Sequence, residues 1–325
     1  MSLVDIAASG SPCLTGLLSD TLERWSSYDV TILVEKPAAV NQEQHDRLRA
    51  LAESPERRSR IWVAMEYRFI PNVAKLLSLL PEVGDIKMVT IRENRYPFLH
   101  KIGGWNRDRE KTGDTLVEKC CHFFDLFRLI TGKEVDLPNI RAIAQRGINY
   151  EEEPELYETP IIDAAYVFMP FQDEETSTGK KRSKTMGCLE VCMYAEGSRH
   201  QEEIIVTGSK GRIEATSPEN KVHLFKRPSG DGWKDRSEPP PVSSIEKTVY
   251  DCSNLKEVFD IENYVLPTHG GYHYGSTAVE WFKLISAIRT FQSTGIWSPS
   301  VSLNDGLRAV EIGLQATKAI VNEQS

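Results

Sequence analysis

The sequence predicts an α/β fold: a layer of parallel strands and helices, followed by a large, mostly antiparallel sheet. Three observations carry that expectation. Across residues 30–93 short apolar runs alternate with helix-period segments. From residue 139 onward, runs of strand character follow one another with only turns or loops between them. Two helix-period segments, at residues 276–292 and 302–322, close the chain.

The first clear element is Val30-Thr31-Ile32-Leu33-Val34, a β-branched run that stops at Glu35-Lys36-Pro37 and reads as a buried parallel strand. Asn41 offers a helix N-cap with Gln44 three residues on, and Leu48, Leu51 and Ala52 continue the stripe. A strand follows at residues 61–65. Pro71 opens a second helix with Val73, Leu76, Leu77 and Leu80 at helical spacing; Gly84 ends it before a strand at 86–93, which the alternation assigns to the same parallel layer.

In the second part, strand character falls at residues 139–144, 163–168, 188–194, 202–207 and 222–225. Ser209-Lys210-Gly211 makes residues 207–215 a hairpin rather than a phosphate loop, because no helix follows. Residues 172–184 and 227–244, the latter with Pro239-Pro240-Pro241, read as exposed loops. Ser302 and Asp305 form a capping box for the last helix.

Bulk properties exclude several functions. A chain of 325 residues exceeds the usual ~100–200 per domain, so two domains are expected. The net charge of −8, with cations scattered along the chain, argues against nucleic acid as a partner. No apolar run approaches the ~20 residues of a membrane span. Residues 1–18 lack a basic start and are broken by Asp5, Gly10 and Pro12, which predicts a cytoplasmic address. Cys13, Cys120, Cys121, Cys188, Cys192 and Cys252 lack disulfide or zinc spacing, so reduced thiols and no metal site are expected.

The candidate chemistry lies in residues 113–130, which read as one apolar helix opened by capping residues and closed by Gly132. Within it Glu118, His122 and Asp125 stand at i, i+4 and i+7 on one face. Two readings compete: an exposed polar stripe of an amphipathic helix, or a histidine general base tuned by a carboxylate one turn away. Lys36 divides similarly between a solvent-facing strand end and a cation that steadies a developing alkoxide beside a cofactor crevice. Taken together, Lys36, Glu118 and His122 make a dehydrogenase hypothesis.

Glu35-Lys36-Pro37, Arg68-Phe69-x-Pro71 and Glu118-x-x-x-His122-x-x-Asp125 occur in an order that resembles the glucose-fructose oxidoreductase and inositol dehydrogenase family, Gfo/Idh/MocA. The resemblance covers residues 29–132 well and continues loosely through 206–215, 269–275 and 301–319. It implies a partial Rossmann-like domain over residues 1–83 and an α+β substrate and oligomerisation domain over 84–325, with a large open sheet. It implies an oxidoreductase using NAD or NADP on the CH–OH group of a polyol, inositol or sugar, and a homo-oligomer formed through the open sheet. Lys36 and His122 match the family's catalytic lysine and histidine, while Glu118 stands where aspartate is usual. Glu35, Lys36, Pro37, Trp105 and Arg107 are expected at the cofactor, and Asp125, His273 and Tyr274 at the substrate.

A complete dinucleotide-binding domain opens with a strand, a G-x-G-x-x-G turn and a helix, with an acidic residue ~20 positions later. Only Gly10 and Gly16 precede Lys36. The expectation is therefore that the phosphate-binding first half is missing, through truncation, splicing or an erroneous gene model, and that NAD(P) binds weakly or not at all. The alternative function is accordingly an impaired or non-catalytic binding or regulatory homologue.

Overall fold

A computed structural model describes residues 3–6, 14–54, 57–149, 159–172, 184–228, 233–235, 237–254, 258–259 and 273–323. Residues 173–183 of the expected 172–184 loop, Gly10 and the 11–13 segment, and Gly270-Gly271-Tyr272 lie outside the described residues.

A three-stranded parallel sheet comes first, in the order β1-β2-β3: Leu3–Ile6, Thr31–Val34 and Arg60–Val63. The two longer-range partners pair in register, Ile32 opposite Ile61 and Val34 opposite Val63. β2 and β3 are buried along their whole length, which explains why they read as continuous apolar runs rather than alternating ones. α1 (Leu14–Ser26) and α2 (Gln42–Glu53) connect the strands. α2 starts as expected: Asn41 Oδ1 accepts from Gln44 N at 3.0 Å, and Gln44 Oε1 accepts from Val40 N at 3.1 Å. β1 was not legible in the sequence, because four residues in a mildly apolar stretch give no periodicity to detect.

α3 (Pro71–Leu79) opens at its proline and leads through a 3₁₀ turn to Gly84, whose φ of 71° ends the segment. β4 (Ile86–Asn94) then departs from expectation. It leaves the parallel layer and becomes an inner strand of a separate eight-stranded sheet, ordered β11-β10-β9-β8-β4-β7-β6-β5. Its partners are β7 (Met186–Cys192), parallel, and β8 (Glu202–Gly208), antiparallel. β5 (Arg141–Gln145), β6 (Ala164–Pro170), β9 (Gly211–Ser217) and β10 (Lys221–Lys226) extend the sheet by antiparallel pairs. β11 (Glu246–Asp251) pairs with β10 at the edge; it is almost wholly exposed and polar, so no apolar alternation marks it as a strand.

One face of this sheet is covered and the other is open. Val89, Ile91, Val167 and Leu189 are fully buried on the covered side, whereas Met88, Ile143, Tyr166, Phe168 and Met186 are exposed on the opposite one. The period-2 alternation of these strands is thus satisfied on one side only. The covering helices are α6 (Cys121–Thr131) and α8 (Leu303–Glu323), together with α3, while α7 (Ser276–Thr294) packs against the 3₁₀ turn Glu66–Phe69. The Ser302–Asp305 capping box forms, Asp305 Oδ2 accepting from Ser302 N at 2.8 Å and Ser302 Oγ from Asp305 N at 3.2 Å. α8 packs against α6, β5, α2 and β3, so the end of the chain ties the two sheets together. Close approach is set by glycine: a Cβ on Gly313 would stand 2.5 Å from Leu116 O, and one on Gly306 3.0 Å from Val63.

Candidate active site

After the short α4 (Arg109–Thr112), the predicted helix over 113–130 forms as two pieces, α5 (Thr115–Glu118) and α6, with a turn at Lys119–Cys120. Asp114 fixes the start. It sits at a φ of 78°, its Oδ1 accepts from Thr115 N at 2.8 Å and Ile162 N at 2.7 Å, and its Oδ2 receives the Arg146 guanidinium. Those three donors hold a conformation that L residues rarely adopt. Gly113, at a φ of 72°, lies so close to Val40 O that no side chain fits. The segment after β2 and the start of α5 are thereby pinned together.

That junction brings Lys36 to Glu118. Lys36 Nζ donates to Glu118 Oε1 at 3.0 Å and to the Glu118 carbonyl at 2.9 Å, with side chains 19% and 9% exposed. Burial alone pulls the Lys36 pKa down, but the Glu118 carboxylate outweighs it and the net shift is upward. Burial likewise raises the Glu118 pKa, and the Lys36 cation reverses it, leaving the carboxyl below its ordinary range. Each group therefore keeps the other ionised near neutrality.

His122 is 2% exposed, which removes the reading of an exposed polar stripe. Its ring stacks on Tyr67, centroids 4.4 Å apart at 25°. Burial, then the Lys36 and Lys119 cations and the nearby His273 ring, push its pKa well below 6.5, so the imidazole is neutral at pH 7. Nδ1 is enclosed with no hydrogen-bond partner among the described residues.

Two cavities meet at Lys36, Lys101 and Glu118. One, of about 580 Å³, is walled by Leu18, Glu35, Pro37, Ala39, Val40, Gln44, Trp105, Lys111 and Thr112. The other, of about 900 Å³, is walled by Glu66, Tyr67, Arg95, Asn106, Lys119, His122, Gln201 and His273, among others. Glu35, Lys36, Pro37 and Trp105 thus share the first cavity, and Lys36, Glu118, His122 and His273 the second.

Three sequence assignments do not hold in space. Asp125 is 1% exposed and its two oxygens accept from Arg68 Nε and Nη2 at 2.5 Å, so no oxygen is turned to a substrate. One turn past His122 it meets Arg68, which together with Arg128 also holds Asp305. Arg107 is buried, donates through Nε and Nη2 to the Phe98 carbonyl, and lines a separate small hollow with Pro160 and Asp163. Tyr274 lines neither cavity; it packs against the hydrophobic core, and burial pushes its hydroxyl up to about 12.

The structure adds a buried polar cluster behind His122. Tyr67 OH donates to Glu202 Oε1 at 2.8 Å and receives Lys119 Nζ at 2.5 Å. Lys119 also pairs with Glu93 at 3.2 Å, and Arg95 reaches Glu93 at 3.5 Å. Glu93 and Glu202 lie directly opposite on β4 and β8. Burial and the neighbouring Glu93 charge raise the Glu202 pKa to about 7. Only strand register brings these carboxylates together, so spacing along the chain could not reveal them. Cys120 and Cys121 are fully buried, and burial raises both pKa values. No group of metal-ligating side chains occurs among the described residues, and no described helix is long and apolar enough to cross a membrane.

A family model for the C-terminal alpha/beta domain of an oxidoreductase family matches residues 81–324. Among solved structures, levoglucosan dehydrogenase in complex with NADH and levoglucosan superposes with a TM-score of 0.70 at 16% identity, covering 99% of this chain and 78% of that one. An NAD binding oxidoreductase from Klebsiella pneumoniae gives 0.70 at 13% identity, with coverage of 99% and 78%. An oxidoreductase domain protein from Kribbella flavida gives 0.68 at 19%, with coverage of 99% and 79%. At these identities the likeness is one of fold. A curated relative from Amycolatopsis mediterranei, provisionally named UDP-kanosamine synthase oxidoreductase subunit, is 29% identical over 104 residues, 32% of this chain and 28% of that protein.

Proposed function

This chain belongs to the Gfo/Idh/MocA oxidoreductase family, and from that premise we propose that it oxidises or reduces the CH–OH group of a sugar, inositol or related polyol with NAD or NADP. The observation that carries the proposal is the Lys36–Glu118 pair at 3.0 Å, with neutral His122 one turn on, at the meeting point of two cavities. In this reading residues 1–83 serve the cofactor and residues 84–325 the substrate. Exposed Met88, Tyr166, Phe168 and Met186 on the open sheet face support association of two copies there.

The first cavity suits a nicotinamide group. Leu18, Ala39, Val40 and the Trp105 ring give it an apolar wall, and the buried Trp105 Nε1 donates to nothing among the described residues. A carboxamide or ribose oxygen there would satisfy it. Bound in its oxidised form, the cofactor supplies the hydride acceptor. The chain's own residues do the rest. Lys36, held by Glu118, presents a fixed cation to the substrate oxygen and stabilises the alkoxide as it develops. His122 accepts the hydroxyl proton at Nε2, the ring nitrogen that is not enclosed. Neutrality qualifies it as acceptor, and the depressed pKa hands the proton on readily.

Calorimetric titration with NAD and NADP, followed by turnover on inositols and sugars, tests the proposal. Cofactor binding and turnover that His122→Ala abolishes are expected. No binding of either dinucleotide would leave the chain as a non-catalytic homologue, and unchanged turnover in His122→Ala would remove the histidine from the chemistry.

A further inference from the structure

The wall of the second cavity is unbalanced in charge. Among the described residues, Lys36, Arg95, Lys101 and Lys119 line it, against the carboxylates of Glu66 and Glu118 only. Those two carboxylates are engaged: Glu118 by Lys36, and Glu66 by His273 Nδ1 at 3.0 Å and the Thr277 hydroxyl at 2.7 Å. The acids that offset the excess stand behind the wall rather than in it. Glu93 is wholly buried and Glu202 is 7% exposed, and neither lines the cavity. Burial and mutual repulsion leave Glu202 titrating at about 7, so near neutrality the pair carries less than its full negative charge.

Two of the cations also retain donor capacity. Lys101 stands 4.7 Å over the Trp105 ring and its charge reaches Glu118, but its ammonium makes no hydrogen bond among the described residues. Arg95 donates one hydrogen bond, Nε to the Tyr96 carbonyl at 3.2 Å, and meets Glu93 only at 3.5 Å. Arg95 and Lys119 line the second cavity and not the first, so their charge is directed to the substrate side rather than to a dinucleotide.

We infer that the substrate is an acidic polyhydroxy compound, bearing a carboxylate or phosphate that Arg95 and Lys101 bind across the cavity from His122. The inference rests on the oxidoreductase reading of the same site and narrows its substrate to anions. A neutral polyol would leave the spare donors of Arg95 and Lys101 and the excess positive charge of the wall unanswered, whereas a carboxylate or phosphate accepts from both.

Calorimetry on the full chain, with and without NAD and NADP, would compare glucuronate, glucose 6-phosphate and glucose at low and high salt. The acids are expected to bind about tenfold or more tighter than glucose, the scale of a charge-assisted hydrogen bond, with the advantage shrinking as salt rises. Preference for glucuronate or for the phosphate identifies the anionic group. In Arg95→Gln and in the exposed Lys101→Gln the ratio of acid to glucose affinity should fall. Lys101→Gln keeps the test valid should loss of Arg95 unsettle the fold. Glucose bound as tightly as the acids would overturn the anion assignment and leave the oxidoreductase reading standing. A preference for acids unchanged in both variants would overturn the siting, and no binding of any sugar would overturn both readings.

Discussion

Replacing Glu118 by glutamine isolates the ion pair at the centre of the site. Glutamine retains the shape and an acceptor oxygen, so Lys36 Nζ keeps its bond to the residue 118 carbonyl and loses only the carboxylate charge. Removing one partner of a buried pair typically costs about 3–5 kcal/mol, because the other charge is left uncompensated. Lys36 is 19% exposed and keeps two neutral acceptors, which brings this change below that range, to about 2–3 kcal/mol. In a chain of this size that is a fall in melting temperature of roughly 3–5 °C. Without the carboxylate, burial is the largest influence left on Lys36 and its pKa should drop.

The pH dependence has a definite sign. Glu118 is depressed below its ordinary 4.5 in the folded state, so its stabilisation is present above 4.5 and is lost as pH falls through the lowered value. Lys36 is raised above 10.5, so its share is complete below 10.5 and disappears only at more alkaline pH. Denaturant unfolding of both proteins should therefore show a constant difference from pH 5.5 to 9 that closes toward pH 3. A difference that persists undiminished at pH 3, or one below about 0.5 kcal/mol at pH 7, the ordinary range of a surface substitution, would refute the reasoning.

Further consequences can be measured independently. If His122 is the base, kcat/KM should rise with pH along a limb lying below 6.5, since only the neutral ring accepts a proton; a limb centred above 7 would contradict it. His122→Ala should lower kcat by about 10²–10⁴-fold with the circular dichroism spectrum unchanged. Gly313→Ala puts a methyl 2.5 Å from Leu116 O and should destabilise the chain by about 1–3 kcal/mol in thermal unfolding, as α8 is forced off α5. Glu280, which accepts from Trp62 Nε1 at 3.0 Å, is pushed up to about 8 by burial. It favours the folded state in its protonated form, so its contribution fades as pH rises from 4.5 through 8. Glu280→Gln should flatten that part of the stability–pH profile, and an unaltered slope would show that Glu280 is ionised in the folded state.

Much of the site was legible because it depends on local chemistry. Proline after lysine at a strand end, the Asn41–Gln44 cap and the i, i+4 spacing of Glu118 and His122 are each visible in a few residues, and each corresponds to a feature of the fold. What escaped depends on contacts between distant segments. β4 looks like one more strand of a βα alternation, and only its pairing with β7 and β8 places it in the second sheet. Asp125 shares a helix face with His122 on paper, but Arg68, 57 residues away, claims it. The Tyr67–Glu202 bond joins residues 135 apart, and no spacing rule reaches that far. The short β1 and the polar edge strand β11 carry too little apolar pattern to announce themselves.

The most direct test of the account is the formation of reduced nicotinamide by the purified chain, supplied with NAD or NADP and a panel of neutral and acidic polyols, alongside His122→Ala and Lys36→Met. The account predicts reduction of one dinucleotide by the wild-type chain, lost in both variants while each still folds. Reduction that persists in either variant, or its absence with every substrate from a chain that demonstrably binds the dinucleotide, would contradict it.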